Sequence, residues 1–153
     1  MNDTLKAQIL SIMDAHRIMT IATLRADGWP QATTVGYAHE GQLLYFLCGL
    51  ESQKAANILR DNRVSITIDH DEPQVMRITG LSMAARAERV VDPREAERIM
   101  GLLIARYPSQ GESPGDLPPA SAVAIFKVTP TVISVLDYSK GFGHAELVRG
   151  VAN

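Results

Sequence analysis

The sequence predicts a mainly β (α+β) fold, an antiparallel β-barrel of about six to seven strands with peripheral helices. Apolar segments with strand-like patterning follow one another across short polar turns, as consecutive antiparallel strands do. Helical periodicity occurs only at the start of the chain, once between strands and in one longer crossover, so the regular strand-helix alternation of a parallel sheet is absent. A change of apolar phase within one long segment adds the bend that barrel closure requires.

The first third of the chain predicts one helix and three antiparallel strands. Apolar residues at helical spacing predict an amphipathic helix to about His16; they are Leu5, Ile9, Ile12 and Met13. Strands are expected at Ile18–Leu24, from Trp29 and Pro30 to about His39, and over residues 43–47. The Asp27-Gly28 pair between the first two strands is a signal for a tight hairpin turn.

A short helix, an alternating strand and a bent strand come next. Ser52 is the expected N-cap of the helix, with three apolar residues turned inward: Ala55, Ile58 and Leu59. Val64, Ile66 and Ile68 alternate with polar residues and predict a half-buried strand. In residues 75–90 the apolar spacing changes from even to odd at Gly80, which predicts a β-bulge there.

The last third predicts the longest helix, two closing strands and an irregular tail. Asp92 as N-cap and Pro93 at the first helical position begin a helix that stops before Pro108. Residues 109–119 carry three prolines and two glycines and predict an irregular loop. Strands are expected over residues 122–128 and 132–136, joined by Thr129 and Pro130. The tail from about residue 139 shows no clear period, and residues 1–153 are expected to form a single domain.

Composition excludes several classes of protein. The chain has 153 residues, with 15 Lys plus Arg against 17 Asp plus Glu, so its net charge of −2 gives no bulk attraction to nucleic acid or to an anionic membrane. No apolar stretch approaches the roughly 18 residues that a membrane-spanning helix needs. Cys48 is the only cysteine and cannot form an intrachain disulfide, and the N-terminus lacks a signal-peptide pattern, so we expect a cytoplasmic protein.

One segment carries a candidate chemical site. The strand over residues 43–47 passes through Gly49 into a helix that begins with the hydroxyl of Ser52, the amide of Gln53 and the ammonium of Lys54. Free N–H groups and the positive end of the helix dipole make such a start suitable for a phosphate group. On these residues alone, an ordinary capped helix with a solvated lysine is the more frequent explanation.

The order of these elements resembles the pyridoxamine 5′-phosphate oxidase-like, FMN-binding split β-barrels. The resemblance runs from about residue 5 to residue 137. Its most specific pieces are residues 29–35, residues 45–54 with Asn57 and Leu59, and Gln74 with Val75 ahead of Gly80. It implies a split β-barrel that binds FMN at the interface of a homodimer and acts as an oxidoreductase on a small molecule.

The resemblance also implies which residues contact FMN. They are Thr33, Thr34, Val35, Leu47, Cys48, Ser52, Gln53, Lys54 and Gln74. The residues of the second strand match positions that line the flavin ring, and those that end the third strand match positions beside the ring and ribityl chain. Gln53 and Lys54 match the phosphate-binding pair, with Ser52 at the adjoining turn. Gln74 matches a glutamine that reaches the flavin from the second subunit.

The chain departs from the family enzyme at three positively charged positions. Thr33 stands where arginine is common, Gln53 replaces a second basic phosphate ligand, and Ala38 lies near the position of the lysine for the substrate phosphate. The resemblance therefore implies a flavoprotein other than the vitamin B6 oxidase itself. Lys54 would neutralise the FMN phosphate largely alone, with Arg63, Arg77 and Arg86 as further candidates. No side chain is assigned as a catalytic acid or base, and none as a metal ligand.

Two alternatives stay open on the same barrel. One is a deazaflavin-dependent reductase, since a single fold hosts several functions. The other is a non-enzymatic, flavin- or haem-binding stress-response protein, for which His144 is the one candidate iron ligand. The polar residues 69–72 before Pro73 contain a histidine and three carboxylates, but a solvated turn is the more frequent structure for such a segment.

Overall fold

The computed structural model describes residues 2–107 and 117–149, in which a curled, antiparallel sheet carries three helices. The helices are α1 (Asp3–Ala15), α2 (Gln53–Arg60) and α3 (Pro93–Arg106). The strands are β1 (Ile18–Leu24), β2 (Pro30–Gly36), β3 (Ala38–Glu40), β4 (Leu43–Gly49), β5 (Arg63–Ile68), β6 (Thr79–Arg89), β7 (Val123–Asp137) and β8 (Ala145–Arg149). This architecture confirms the predicted barrel with peripheral helices.

Seven strands follow one continuous path, in the order β2-β1-β5-β6-β7-β4-β3, and β8 pairs with β7 beside that path. Every pairing is antiparallel. The strands at the two ends of the path, β2 and β3, are separated in the chain by Tyr37 alone. The sheet therefore curls back on itself and brings its two ends together.

Two apolar clusters hold the helices against the sheet. Inside the curl, α1 contributes Ile9 and Met13 and α2 contributes Ala55 and Ile58 to a core that includes the stacked rings of Phe46 and Phe126, whose centroids are 5.4 Å apart. On the outer face, α3 packs on β3, β4 and the start of β7 through three buried residues: Ile99, Met100 and Leu103. The helices thus cover the sheet from both sides.

The helix caps agree with their predictions. The side-chain oxygens of Ser52 and Asp92 accept hydrogen bonds from the backbone N–H groups of Ala55 and Arg94, at 3.2 and 3.1 Å. The predicted inward face of α2 is wrong at one residue, Leu59, which is 63% exposed. Asn57, which was not predicted on that face, is fully buried. Asn57 can be buried because its amide makes three hydrogen bonds inside the protein, described below.

The strand predicted from Trp29 to about His39 is interrupted at Tyr37. Its first part, β2, pairs with β1, and its last part, β3, pairs with β4. At the break the N–H of Tyr37 donates to the carbonyl of Arg17 and its hydroxyl donates to the carbonyl of Met13, at 3.1 and 2.7 Å. These bonds fix the place where the chain passes from one end of the sheet to the other.

The predicted bulge at Gly80 is wrong in position. Residues Val75–Arg77 form a turn of 3-10 helix and β6 begins only at Thr79, so the change of apolar phase marks the start of the strand. The register shift lies at Ala84/Ala85, opposite Thr131 of β7. Because that extra residue absorbs the irregularity next to Pro130, β7 is one continuous strand where two were predicted.

The C-terminal tail is more regular than its sequence suggests. A 3-10 turn at Tyr138–Lys140 leads into β8, which pairs with residues 132–136 of β7. β8 has one buried residue, Val148, so the alternation that would predict a strand is missing. Most of the loop predicted over residues 109–119 lies outside the described residues. None of the helices in the described part of the chain is long and apolar enough to cross a membrane.

Candidate cofactor site at the split in the barrel

The two ends of the sheet approach each other without pairing. Ala38 of β3 lies opposite Tyr45 of β4, and extending that register through Tyr37 would set Gly36 opposite Leu47. Within residues 2–107 and 117–149, however, β2 pairs only with β1, and the last three residues of β4 pair only with β7. One edge of β2 and the end of β4 therefore face each other with unpaired backbone N–H and C=O groups, and we call this gap the split.

An apolar cavity of about 260 Å³ lies at the split, on the outer side of the sheet. Its lining joins both strand ends to α3 and the segments near it: Ile18, Gly36, Leu47, Leu103, Tyr107 and Leu117. Among the described residues, the lining includes no charged side chain. Burial raises the pKa of the Tyr107 hydroxyl, which favours its neutral form.

Gly36 is required at this wall by close packing. A Cβ added to Gly36 would lie 2.1 Å from the hydroxyl oxygen of Tyr107, well inside contact distance. That hydroxyl donates to the backbone carbonyl of Arg17, which precedes β1. The ring of Tyr107 therefore crosses the end of β2 only because position 36 has no side chain.

The start of α2 lies at the far end of β4 from β3. Gly49 follows Leu47 by two residues, which is roughly 7 Å along a strand. Ser52 then caps α2 by accepting from Ala55, while the N–H groups of Gln53 and Lys54 have no acceptor in the described part of the chain. Lys54 is half-buried and forms no ion pair with a described residue. An anion at this point would meet two free N–H groups and one ammonium.

A buried amide fastens α2 to the strands of the split. Asn57, at 0% exposure, accepts a hydrogen bond from Nε2 of Gln53 at 2.8 Å. Its Nδ2 donates to Oγ1 of Thr23 in β1 at 3.0 Å and to Oε1 of Gln31 in β2 at 3.1 Å. The amide of Asn57 thus links the helix start to the free-edged strand.

Eight of the nine predicted FMN contacts lie on β2, on the end of β4 or at the start of α2. Their side chains do not all face the same way. Leu47 faces the cavity, whereas the neighbouring Cys48 is 7% exposed and packs into the core. On β2, Val35 is buried in the core and Thr34 is exposed on the opposite face. Cys48 and Val35 can therefore offer a ligand only backbone groups.

Gln74 is the exception. It precedes the 3-10 turn between β5 and β6 and is exposed. The end of β4, which leads to Lys54, lies at the same end of the sheet as the start of β5, because β4, β7, β6 and β5 pair antiparallel in turn. Gln74 follows the other end of β5 and therefore lies at the opposite end of the sheet from Lys54. Within one chain it does not join the other eight residues.

The additional arginines do not gather at Lys54 either. Arg63 and Arg86 are direct partners across β5 and β6, beyond the C-terminus of α2. Arg63 is held by Asp61, whose carboxylate accepts from Nε and Nη2 at 3.0 and 2.7 Å. Arg60 follows Lys54 by six residues of α2, which is about 9 Å along the axis.

Sequence reasoning missed the part of the site that α3 supplies. Leu103 and Tyr107 reach the split because α3 packs across β3 and β4, a tertiary contact that no local pattern encodes. The spacing of Gln53 and Asn57, one helical turn apart, was a detectable signal for a linked pair. Among the described residues, no group of three or more His, Cys, Asp or Glu side chains converges so that it could hold a metal ion.

Comparison with known proteins bears on the fold and on the family. The sequence profile described as pyridoxamine 5′-phosphate oxidase matches residues 5–137 of the chain. A search of curated proteins gave no match.

Solved structures share the fold across 81–99% of the chain. A conserved hypothetical protein from Mycobacterium tuberculosis has a TM-score of 0.74 and 24% identity, covering 99% of this chain and 95% of the other. An F420 reductase has a TM-score of 0.63 and 26% identity, covering 81% and 94%. A heme binding protein from Mycobacterium smegmatis has a TM-score of 0.76 and 17% identity, covering 97% of this chain and 59% of the other.

Proposed function

Because the chain belongs to the pyridoxamine 5′-phosphate oxidase family, we propose that it is an FMN-binding oxidoreductase that holds the flavin at the split between β2 and β4. The observation that carries this proposal is the juxtaposition of two unpaired strand edges, an apolar cavity and an uncompensated lysine at a helix start. A soluble fold rarely leaves such edges open unless something covers them.

The residues of the split fit the three parts of FMN. The apolar wall of Leu47, Leu103 and Tyr107 suits the flat, largely apolar ring system. Free N–H and C=O groups along β2 match the polar atoms at the ring edge. At the end of β4, the first N–H groups of α2 and the ammonium of Lys54 suit the phosphate dianion.

We propose that two copies of the chain form this site together. A cavity of about 260 Å³ is smaller than the roughly 300–1,000 Å³ of pockets that enclose a small molecule, so one chain supplies only part of the walls. A second copy would cover the open side. A homodimer would also explain how Gln74, which lies far from Lys54 within one chain, could approach a flavin bound to the other.

The bound flavin would supply the redox chemistry by accepting a hydride or electrons at its ring. The chain would contribute binding, orientation and exclusion of water. Lys54 and the start of α2 would fix the phosphate, while Asn57 holds that helix start against β1 and β2. No side chain of the chain needs to act as a catalytic acid or base, and the substrate is a small molecule.

The charges at the split argue against vitamin B6 phosphate as that substrate. The position of the lysine for the substrate phosphate in the family enzyme lies near Ala38, which is buried and uncharged. Thr33 and Gln53 are also neutral. A second phosphate would therefore find no cation at these positions.

Absorbance of the purified protein tests FMN binding directly. We expect the visible bands of oxidised flavin or, if the cofactor is lost on purification, saturable quenching of FMN fluorescence on titration. Light scattering with FMN present should report a dimer. Absence of both bands and binding would contradict the proposal, and bound flavin that reduced nicotinamides cannot reduce would favour a binding protein over a reductase.

The substitution Lys54→Ala tests the phosphate assignment. Removing the one ammonium at the helix start should raise the dissociation constant of FMN at least about tenfold, which corresponds to roughly 1.4 kcal/mol. Riboflavin, which lacks the phosphate, should bind both proteins alike. Lys6→Ala, on an exposed part of α1, is the matched control. An FMN affinity equal to that of the unsubstituted protein would show that the phosphate lies elsewhere.

A deazaflavin is the second candidate, supported by the similarity to an F420 reductase. Deazaflavin cofactors carry a longer anionic tail, which calls for more positive charge around the groove. Next to Lys54 the chain offers the neutral Gln53, and Arg63 lies beyond the C-terminus of α2, away from Lys54. FMN is therefore the preferred cofactor, and competition between the two in a fluorescence titration would reverse this preference if the deazaflavin displaced FMN.

Haem has less support, although one structural relative is a heme binding protein. Nε2 of His144, the atom that would ligate iron, is inaccessible to solvent and has no hydrogen-bond partner among the described residues. The histidine would have to turn outward before it could reach a haem. A Soret shift on haem addition that disappears in His144→Ala would restore this alternative.

A further inference from the structure

A second concave region lies on the solvent-facing side of β1, β5 and β6. It is an open groove of about 480 Å³, a size typical of small-molecule sites. Its floor contains small side chains, Ala22, Ser65 and Ala84. Since the sheet order is β2-β1-β5-β6, the groove is separate from the split, which lies on the other edge of β2.

Among the described residues that line this groove, the charged ones are two arginines, Arg63 and Arg86. They are direct cross-strand partners on β5 and β6, an arrangement of like charges that destabilises a sheet when nothing lies between them. A third arginine, Arg60, donates to the carbonyl of Leu24, which also lines the groove. Positive charge thus collects here in a chain whose net charge is −2.

The polar groups nearby compensate only part of this charge. Asp61 holds Arg63 through two hydrogen bonds, and this pairing lowers the pKa of the Asp61 carboxyl to about 2, so the carboxylate neutralises one guanidinium. Arg86 has a single described partner, the neutral side-chain oxygen of Asn62, at 2.8 Å from Nη1. Four of its five N–H donors remain available.

We propose that this groove binds the oxyanion group of a small molecule, a phosphate or a carboxylate, between Arg63 and Arg86. A guanidinium presents paired donors that match either group, and Asp61 holds Arg63 in position for it. A bound oxyanion would accept from Arg86 and from the Nη1 group of Arg63, to which Asp61 is not bonded, and would balance the positive charge that Asp61 leaves uncompensated. The ligand class is an anionic substrate or effector distinct from the flavin, and the inference does not depend on FMN binding at the split.

Nitrogen-15 NMR of the arginine side chains tests this site in the intact protein. Pyrophosphate and malonate are titrated separately at constant ionic strength, because screening changes with salt. We expect saturable shifts of the Nε–H signals of Arg63 and Arg86 with at least one probe, and the tighter probe identifies phosphate or carboxylate as the preferred group. Shifts that stay linear in concentration for both probes would overturn the proposal.

Three variants assign the binding to the groove. Arg86→Gln should raise the dissociation constant of the probe at least tenfold, whereas Arg94→Gln, on the exposed start of α3, should leave it unchanged. Lys54→Ala should also leave it unchanged. Loss of probe binding in Lys54→Ala but not in Arg86→Gln would mean that the probe binds at α2, and the groove proposal would be wrong.

The thermal stability of Arg86→Gln separates a binding role from a structural one. Without the probe, the variant should unfold at about the same temperature, because it loses one exposed hydrogen bond to Asn62 and one like-charge contact with Arg63. With the probe, only the unsubstituted protein should be stabilised. A variant that is destabilised without the probe and retains the affinity for it would show that Arg86 serves only to bond Asn62.

Discussion

The chain on the two sides of Gly36 differs in how its polar groups are bonded. Beyond Gly36 the chain enters a dense contact between the ends of α1 and α3, where Arg106 donates to the carbonyls of Met13, Asp14 and His16. The hydroxyl of Tyr37 also donates to Met13, and the Arg106 guanidinium lies 5.6 Å from the centre of the Tyr37 ring. We call this contact the clasp. Before Gly36, the outer edge of β2 has no described partner at all.

The comparison separates structural from functional use of polar groups. In the clasp, the carbonyls at the end of α1, which no helix can satisfy internally, find donors from α3. At the split, the backbone groups along the outer edge of β2 stay open, although the buried amide of Asn57 bonds the side chains of Gln31 in β2 and Thr23 in β1. The open edge of β2 is the part of this framework that a bound cofactor or a second subunit would cover.

The largest loss of stability is expected from Asn57→Ala, which removes the hydrogen bonds that hold α2 against β1 and β2. The change leaves the side chains of Thr23, Gln31 and Gln53 without their buried partner and creates a cavity. We expect the free energy of unfolding to fall by about 3 kcal/mol. Urea denaturation measures it.

The control for this prediction is Gln53→Ala. Gln53 is exposed, and its replacement removes only one of the three hydrogen bonds of Asn57. The free energy of unfolding should therefore fall by no more than about 0.5 kcal/mol. Equal effects of the two substitutions would mean that Asn57 does not anchor α2.

A smaller effect is expected at the boundary between the two regions. In Gly36→Ala the new Cβ must displace the Tyr107 hydroxyl, which would otherwise lie 2.1 Å away, and disturb its bond to Arg17. The expected loss of stability is about 2 kcal/mol. Gly101→Ala is the matched control, because a Cβ there meets nothing within 4 Å and α3 should gain about 0.5–1 kcal/mol. Similar results for both glycines would refute the close packing of Tyr107.

The smallest effect belongs to Tyr37→Phe in the clasp. It removes one buried hydrogen bond, but Arg106 still donates to the Met13 carbonyl, so the cost should be about 1 kcal/mol at neutral pH.

The same variant predicts a pH dependence. Burial raises the pKa of Tyr37 from 10.0 to about 12. The folded state therefore favours the neutral hydroxyl, and this contribution to stability is complete below pH 10 and is lost as the pH rises through 12. Tyr37→Phe should reduce the fall in unfolding free energy over this range. Unchanged slopes, measured by denaturation at several alkaline pH values, would contradict it.

Much of the framework could be predicted because its signals are local. The alternation of Val64, Ile66 and Ile68, the caps at Ser52 and Asp92, and the stripe on α3 each lie within one element and agree with the structure. The strand ends at β4 and β2 and the helix start at Lys54 were likewise adjacent in the predicted order.

The predictions that were wrong concern features that depend on contacts between distant segments of the chain. Leu59 was expected on the buried face of α2 because it is apolar. The hydrogen bonds of Asn57 to Thr23 and Gln31 instead place the Asn57 amide on that face. The bulge was assigned to Gly80, where the sequence pattern changes, although the extra residue is Thr131 on the neighbouring strand. No pattern within β6 can reveal a residue inserted in β7.

The open edge of β2 has a consequence for handling the protein. An unpaired strand edge is a template on which another chain can add a strand. Pro30, which has no backbone N–H, protects only the first position of β2 against such pairing. If FMN covers this edge, as proposed above, flavin supply during expression should affect solubility: cells short of riboflavin should deliver more of this chain into aggregates, and added FMN should keep it in solution.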